Sequence, residues 1–301
     1  MSTTVSNLAA GQVASARPRF FGIVLGEIFK VTRMWSVWIP FVLLLGVMCL
    51  PYLITVTVKA QGTSLQKAPL HFFYSSLGQN LFVLRVFIGF FLIILTACVF
   101  GREYQLGTIR VLLARGIGRL QLLYAKLLAV VLVALFALLV CLVLTALLQG
   151  MQMLILAGNF DGLKALNADF WHNTGLYVLT LLISMGATIL LTTAMTALGR
   201  SFVFGLSAAL VFFPADNFGT IFMALAYRLT NNKFWLDITA YLLGPNLNQM
   251  PAALVPAHFG NYGVSPYVTV DATHTLVVAL VYAAIFAAVA IVLTWRRDVK
   301  E

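Results

Sequence analysis

The chain has 301 residues, 61% of them hydrophobic and 9% charged, with a mean hydropathy of +0.98 and a formal net charge of +10. That leaves too little polar surface to cover a soluble globule. The basic excess is grouped by loop beside apolar runs, which assigns it to membrane topology and lipid contact and sets nucleic acid aside as a partner.

Residues 1–19 are mixed and basic and are read as a disordered cytoplasmic tail; the first long apolar run starts only at Trp35, which argues against a cleaved signal peptide. Residues 20–34 differ in kind. Phe21, Val24, Leu25, Ile28 and Phe29 form one apolar stripe while Glu27, Lys30 and Arg33 project elsewhere, which predicts an amphipathic helix on the inner leaflet. Trp35 and Trp38 then supply an aromatic anchor at the entry to the first span.

Six apolar runs follow, at about 35–58, 81–100, 122–148, 176–198, 202–225 and 276–295, each near the ~20 residues that cross a bilayer at ~1.5 Å per residue. They are continuously apolar rather than alternating, so helices are expected and a β-barrel is not. The expected fold is therefore all-α: one polytopic domain over residues 35–295, with a cytoplasmic tail at 296–301. Arg17, Arg19, Lys30 and Arg33, then Arg102 to Lys126, Arg200, and finally Arg296, Arg297 and Lys300 collect on one side. Lys59, Lys67, Lys164, Arg228 and Lys233 are spread over longer loops on the other, so the positive-inside bias puts both termini in the cytoplasm and the chain in the cell membrane.

Cys49, Cys98 and Cys141 fall inside apolar runs, so no disulfide framework is expected. His71, His172, His258 and His274 lack ligand spacing and are read as solvated loop residues; no metal site is expected. Leu70 to Leu77, with Phe72, Phe73 and Tyr74, looks interfacial. In the outer loop 227–274, the stretches Phe234 to Leu243 and Leu247 to Leu254 are apolar but too short to span; they are either re-entrant pieces or ordinary loop.

The densest charge joins the second and third spans, over residues 102–119 and on to Lys126. Thr108 is placed to cap a short helix, Ile109 to Arg115 supplies about two turns with Arg110 and Arg115 exposed, and Gly116 and Gly118 end it. On charge alone this is a basic inner loop. A helix here, packed on the ends of two spans, is also suited to passing a push from a soluble partner into the membrane.

Glu103, Gly107-Thr108, the run Arg110-Val-Leu-Leu113, Arg119 and Lys126 together resemble the inner loop of the ABC type-2 permease family. Nearly the whole chain fits that layout, including the N-terminal helix with Glu27, the six spans, Leu243-Gly-Pro-Asn246 in the long outer connection, and Trp295-Arg-Arg-Asp298 at the end. Where many relatives carry Pro and Ser before the loop arginine, this chain has Gly116-Ile-Gly118. The resemblance implies a permease subunit that pairs with a second permease chain and docks two copies of a separate ABC ATPase. In that reading Glu103, Gly107, Thr108, Arg110, Arg115 and Arg119 couple to the ATPase, together with Glu27, Lys30 and Arg33 of the N-terminal helix. ATP and Mg belong to the partner, no cofactor belongs to this chain, and the direction is export. The residues agree with that division of labour: the sequence contains no Gly-x-x-x-x-Gly-Lys-Ser/Thr phosphate loop.

Ionisable groups inside spans are functional candidates, because each costs about 2.5 to 3.5 kcal/mol near the bilayer centre. Asp216, in Phe213-Pro-Ala-Asp-Asn217, is expected either to line a cavity beside a proline-broken helix or to pair with Arg85. Arg85 is alternatively free to snorkel outward from the second span. Ser184, Thr188, Thr192 and Thr196 recur at four-residue steps, as a packing face or a polar path lining. No predicted span contains a histidine or a Glu/His pair to support a membrane hydrolase, and no internal repeat supports an ion-coupled secondary transporter. A non-transporting membrane anchor for an ATPase keeps the same inner helix and stays as an alternative.

Overall fold

The computed structural model describes residues 19–57, 60–114, 116–255 and 258–296, so the expectations for the two tails, for Arg115 and for the side chain of Arg110 lie outside what it describes. Among these residues there is no β-strand, and the chain is a succession of helices. Six are long and apolar enough to cross a membrane: α2 (Trp35–Thr57), α4 (Pro69–Gln105), α6 (Arg119–Ala157), α7 (Ala168–Gly199), α8 (Phe202–Thr230) and α11 (Ala272–Arg296). Shorter helices lie between and before them: α1 (Phe20–Thr32), α3 (Ala60–Lys67), α5 (Thr108–Ala114), α9 (Phe234–Ile238) and α10 (Leu243–Leu254).

Two spans form the centre. α4 and α7 pack on each other, α4 also touches α2, α6 and α8, and α7 also touches α8, α10 and α11. The most apolar stretches of α4 and α7 are each 61% buried, against 11% in α8, so α8 lies at the rim and turns most of its surface outward. Of the regularly spaced hydroxyls of α7, Thr192 and Thr196 are fully buried and Ser184 and Thr188 border a cavity. Thr188, Thr192 and Thr196 each donate to the carbonyl four residues earlier, at 2.8, 2.9 and 2.7 Å, so their polarity is satisfied within the helix.

The span expected at 81–100 is longer than its apolar run. Pro69 opens α4 in the first turn, where its missing N–H removes no helix bond, and the helix then continues for 37 residues, about 55 Å. That exceeds a hydrocarbon core of about 30 Å. Phe72, Phe73 and Tyr74 are buried within the protein rather than exposed at its surface. They are buried under a cap beyond the spans, where the Tyr74 ring meets Phe170 at 5.1 Å, Phe259 at 5.3 Å and, stacked, His258 at 4.3 Å. His258 and His274, read as solvated, thus have protein partners; the His274 ring nitrogen Nε2 lies 2.8 Å from the Ala240 carbonyl.

The outer loop also folds inward. Leu243, Gly244, Pro245, Asn246, Leu247, Met250 and Pro251 of α10 are buried, and α10 packs against α7, α8 and α11. It is a short helix inside the bundle rather than a surface loop. The α8 helix runs on through Pro214 without a break.

Candidate functional site: a charge ring and a polar latch

At the basic end of the bundle the link between α4 and α6 is short and sharply turned. Gly107 (φ 66°) and Gly116 (φ 82°) both sit in the left-handed region that glycine enters without strain, and they bracket α5. The helix itself is limited to Thr108–Ala114; residues 102–105 are the end of α4 and Arg119 begins α6, so the segment 102–119 is not one coupling helix. Arg119 donates to the Trp295 carbonyl at 3.4 Å, which ties the start of α6 to the end of α11.

Four charges close around this link. Lys30 on α1 lies 2.6 Å from Glu27 Oε1 and 2.6 Å from Glu103 Oε1 on α4, while Lys126 on α6 lies 3.5 Å from Glu27 Oε2 and 3.0 Å from Glu103 Oε2. Signs alternate around the ring and its formal charge is zero. Lys126 Nζ also donates to the Val99 carbonyl at 2.6 Å and faces the Phe100 ring at 5.7 Å. Glu27, Glu103 and Lys126 are each under a tenth exposed, so removing one member strands buried charge. Burial works against the charge on Lys30, but the Glu103 and Glu27 carboxylates outweigh it and hold the ammonium above the ordinary lysine value of 10.5.

Glu27 of α1 faces the protein together with Val24 and Val31, whereas Phe21 (72% exposed), Leu25 (67%) and Phe29 (57%) face outward. The helix is amphipathic: a charged contact sits within its protein-facing side, where Glu103 of α4 and Lys126 of α6 offer opposite charges to Lys30 and Glu27, and an apolar stripe faces outward. Arg33 stays out of the ring and lies over the Phe29 ring at 4.4 Å. Glu103 is buried and so is not a partner-facing residue; it holds helix ends together. Lys126 completes the ring and was not among the expected coupling residues. Its signal was a single lysine at the start of the long apolar stretch of α6.

A second polar group lies nearer the far end. Asp216 on α8 accepts from the Gly244 backbone N–H in the first turn of α10, where a carboxylate also suits the helix dipole. Next to it, Asn248 Nδ2 donates to Asn217 Oδ1 at 2.9 Å and to the Val264 carbonyl at 2.6 Å, while Asn248 Oδ1 accepts from Arg85. Asn246 Nδ2 holds the approach to α10 through the Ala240 and Leu242 carbonyls, at 2.6 and 2.7 Å. Arg85 and Asp216 therefore do not pair with each other. Each is taken by α10, Asp216 by the Gly244 backbone and Arg85 by the Asn248 side chain. Arg85 does not snorkel either: it is 6% exposed, against the Phe82 ring at 5.4 Å. Asn217 and Asn248 were missed because asparagines in loops and span ends carry no distinctive signal.

Among the described residues no group of three or more His, Cys, Asp or Glu side chains is placed to hold a metal ion. Six helices long and apolar enough to cross a membrane, with a charge ring at one end and a polar latch within the bundle, define a multi-pass membrane protein. The family model described as ABC-2 family transporter protein matches residues 23–216, more than half of the chain, and the chain belongs to that family. The matched residues take in the whole ring, Arg85 and Asp216. The protein is thus the membrane component of an ABC transporter system and not itself the catalytic subunit. Comparison with curated proteins gives no match.

Proposed function

We propose that this chain is the permease half of an ABC exporter in the cell membrane, with both termini cytoplasmic, working as a homodimer and driven by two copies of a separate ATPase chain. The observation that carries the reading is the charge ring. It clamps α1 to the ends of α4 and α6, the two spans that α5 joins, so that α1, α4 and α6 respond as a unit to force applied at α5. ATP and Mg act on the partner, whose closure pushes α5 and tilts α4 and α6, and the dimeric pathway opens outward. The outward apolar face of α8, including Val211, Phe218 and Phe222, is available to lipid and to the second copy.

Replacing Arg110 and Arg115 together by Glu should sharply reduce the amount of ATPase that co-purifies with the chain while membrane insertion stays normal. Undiminished recovery of the complex would overturn the assignment of this segment as the ATPase contact.

A further inference from the structure

Beside the latch is a cavity of about 210 Å³ between α4, α7, α8 and α10, several times the roughly 30 Å³ that one water occupies in the liquid. Its walls are mainly apolar, with Phe90, Ile93, Leu210 and Phe213 among them, and Arg85 and Asn248 form a polar corner. Arg85 lies sixteen residues from Gly101 along α4, about 24 Å from the basic end, which places the cavity in the other half of the bilayer core.

The guanidinium at this corner is chemically incomplete. It has five N–H donors and a permanent positive charge, yet among the described residues one hydrogen bond, to Asn248 Oδ1, is made from it and no carboxylate lies within 4 Å. Asp216, the carboxylate of the latch, is committed to Gly244 on α10. Asn248 fixes the orientation of Arg85, because its own amide is held by Asn217 and by the Val264 carbonyl. A buried, oriented and uncompensated guanidinium on the wall of an apolar cavity suits an oxyanion, which it engages in a forked, charge-assisted geometry.

We propose that Arg85 is the anion-recognising residue of an intramembrane binding site, and that the site takes amphiphiles with a carboxylate or phosphate head and an apolar body. In transport this makes the cargo an anionic amphiphile, a statement that rests on the permease reading; binding at the site does not.

The test uses the purified chain alone, in nanodiscs of dioleoylphosphatidylcholine, titrated with decyl phosphate and decanoate and, as a cationic control, decyltrimethylammonium. Both anions should bind saturably, and Arg85→Gln should weaken them about tenfold or more, while Arg85→Lys, which keeps the charge but loses the fork, should fall between the two. Gly89 lines the cavity and has open space where a Cβ would stand, so Gly89→Leu should fill the site and block binding with every charge left in place. Replacing part of the phosphatidylcholine by dioleoylphosphatidylglycerol separates the two sources of the anion. Competition seen in the native chain but not in Arg85→Gln identifies a lipid headgroup as occupant; no competition identifies a diffusible amphiphile, and both outcomes support the site. Equal binding of decyl phosphate to native and Arg85→Gln chains, or equally tight binding of the cation, would overturn it. Because no ATPase is present, failure here leaves the ATPase pairing standing, and failure of that pairing leaves this site standing.

Discussion

The two polar centres of this protein use similar residues to opposite ends. In the ring, two carboxylates and two ammonium groups meet at 2.6 to 3.5 Å, and the charge closes on itself. In the latch, the carboxylate and the guanidinium are held apart on different atoms of α10, and the cation is left facing a cavity. Charge that is balanced internally serves to bind helices to one another; charge that is oriented but unbalanced is open to a ligand.

The comparison is most sharply broken at Lys126. Lys126→Met leaves two buried carboxylates facing one ammonium and should cost about 3 to 5 kcal/mol, read as a large fall in Tm of the solubilised protein. Adding Glu103→Gln to that variant should recover part of the loss; no recovery would mean that the ring does not act as a unit.

A smaller effect is expected in the latch. A Cβ on Gly244 would stand 2.8 Å from Asn217 Nδ2 and 3.0 Å from Asp216 Oδ2, so Gly244→Ala should dislodge the carboxylate and lose about 1.5 to 3 kcal/mol. Asp216→Asn should impair transport while leaving assembly intact, and unchanged transport would remove Asp216 from the mechanism. On α7, Thr192→Val should change stability by less than about 1 kcal/mol in the same melts, because its hydroxyl bonds only to its own helix. A large loss of transport there would restore the reading of that face as a path lining.

The weakest expected signal is alkaline. Lys30 has a folded-state pKa raised above 10.5, so its contribution is complete below that value and is lost as pH rises through the raised one. Melting of the native chain should therefore fall more steeply above about pH 10.5 than melting of Lys30→Met.

The spans were legible in the sequence because continuous apolar runs near twenty residues have few other uses in a chain this poor in charge. The start of α4 was not, since Phe73 and Tyr74 look like headgroup aromatics until Phe170 and Phe259, almost a hundred residues or more away, are brought against them. Glu27 and Lys30 were singled out on the N-terminal helix and Glu103 in the inner loop, but not as one another's partners, because pairing across 73 residues leaves no local pattern. For Arg85 and Asp216, opposite sign was the only cue, and it pointed each to the other. The competing donor was a backbone N–H on a twelve-residue helix that reads as loop.

Glu103 and Arg85 stand eighteen residues apart on α4, which is five whole turns, so they share one side of a single rod about 27 Å apart. A twist of that rod that carries Glu103 out of register with its ammonium partners swings Arg85 off Asn248 through the same angle. The charge ring at one end of the bundle and the guanidinium on the cavity wall are then two teeth on one key, turned together.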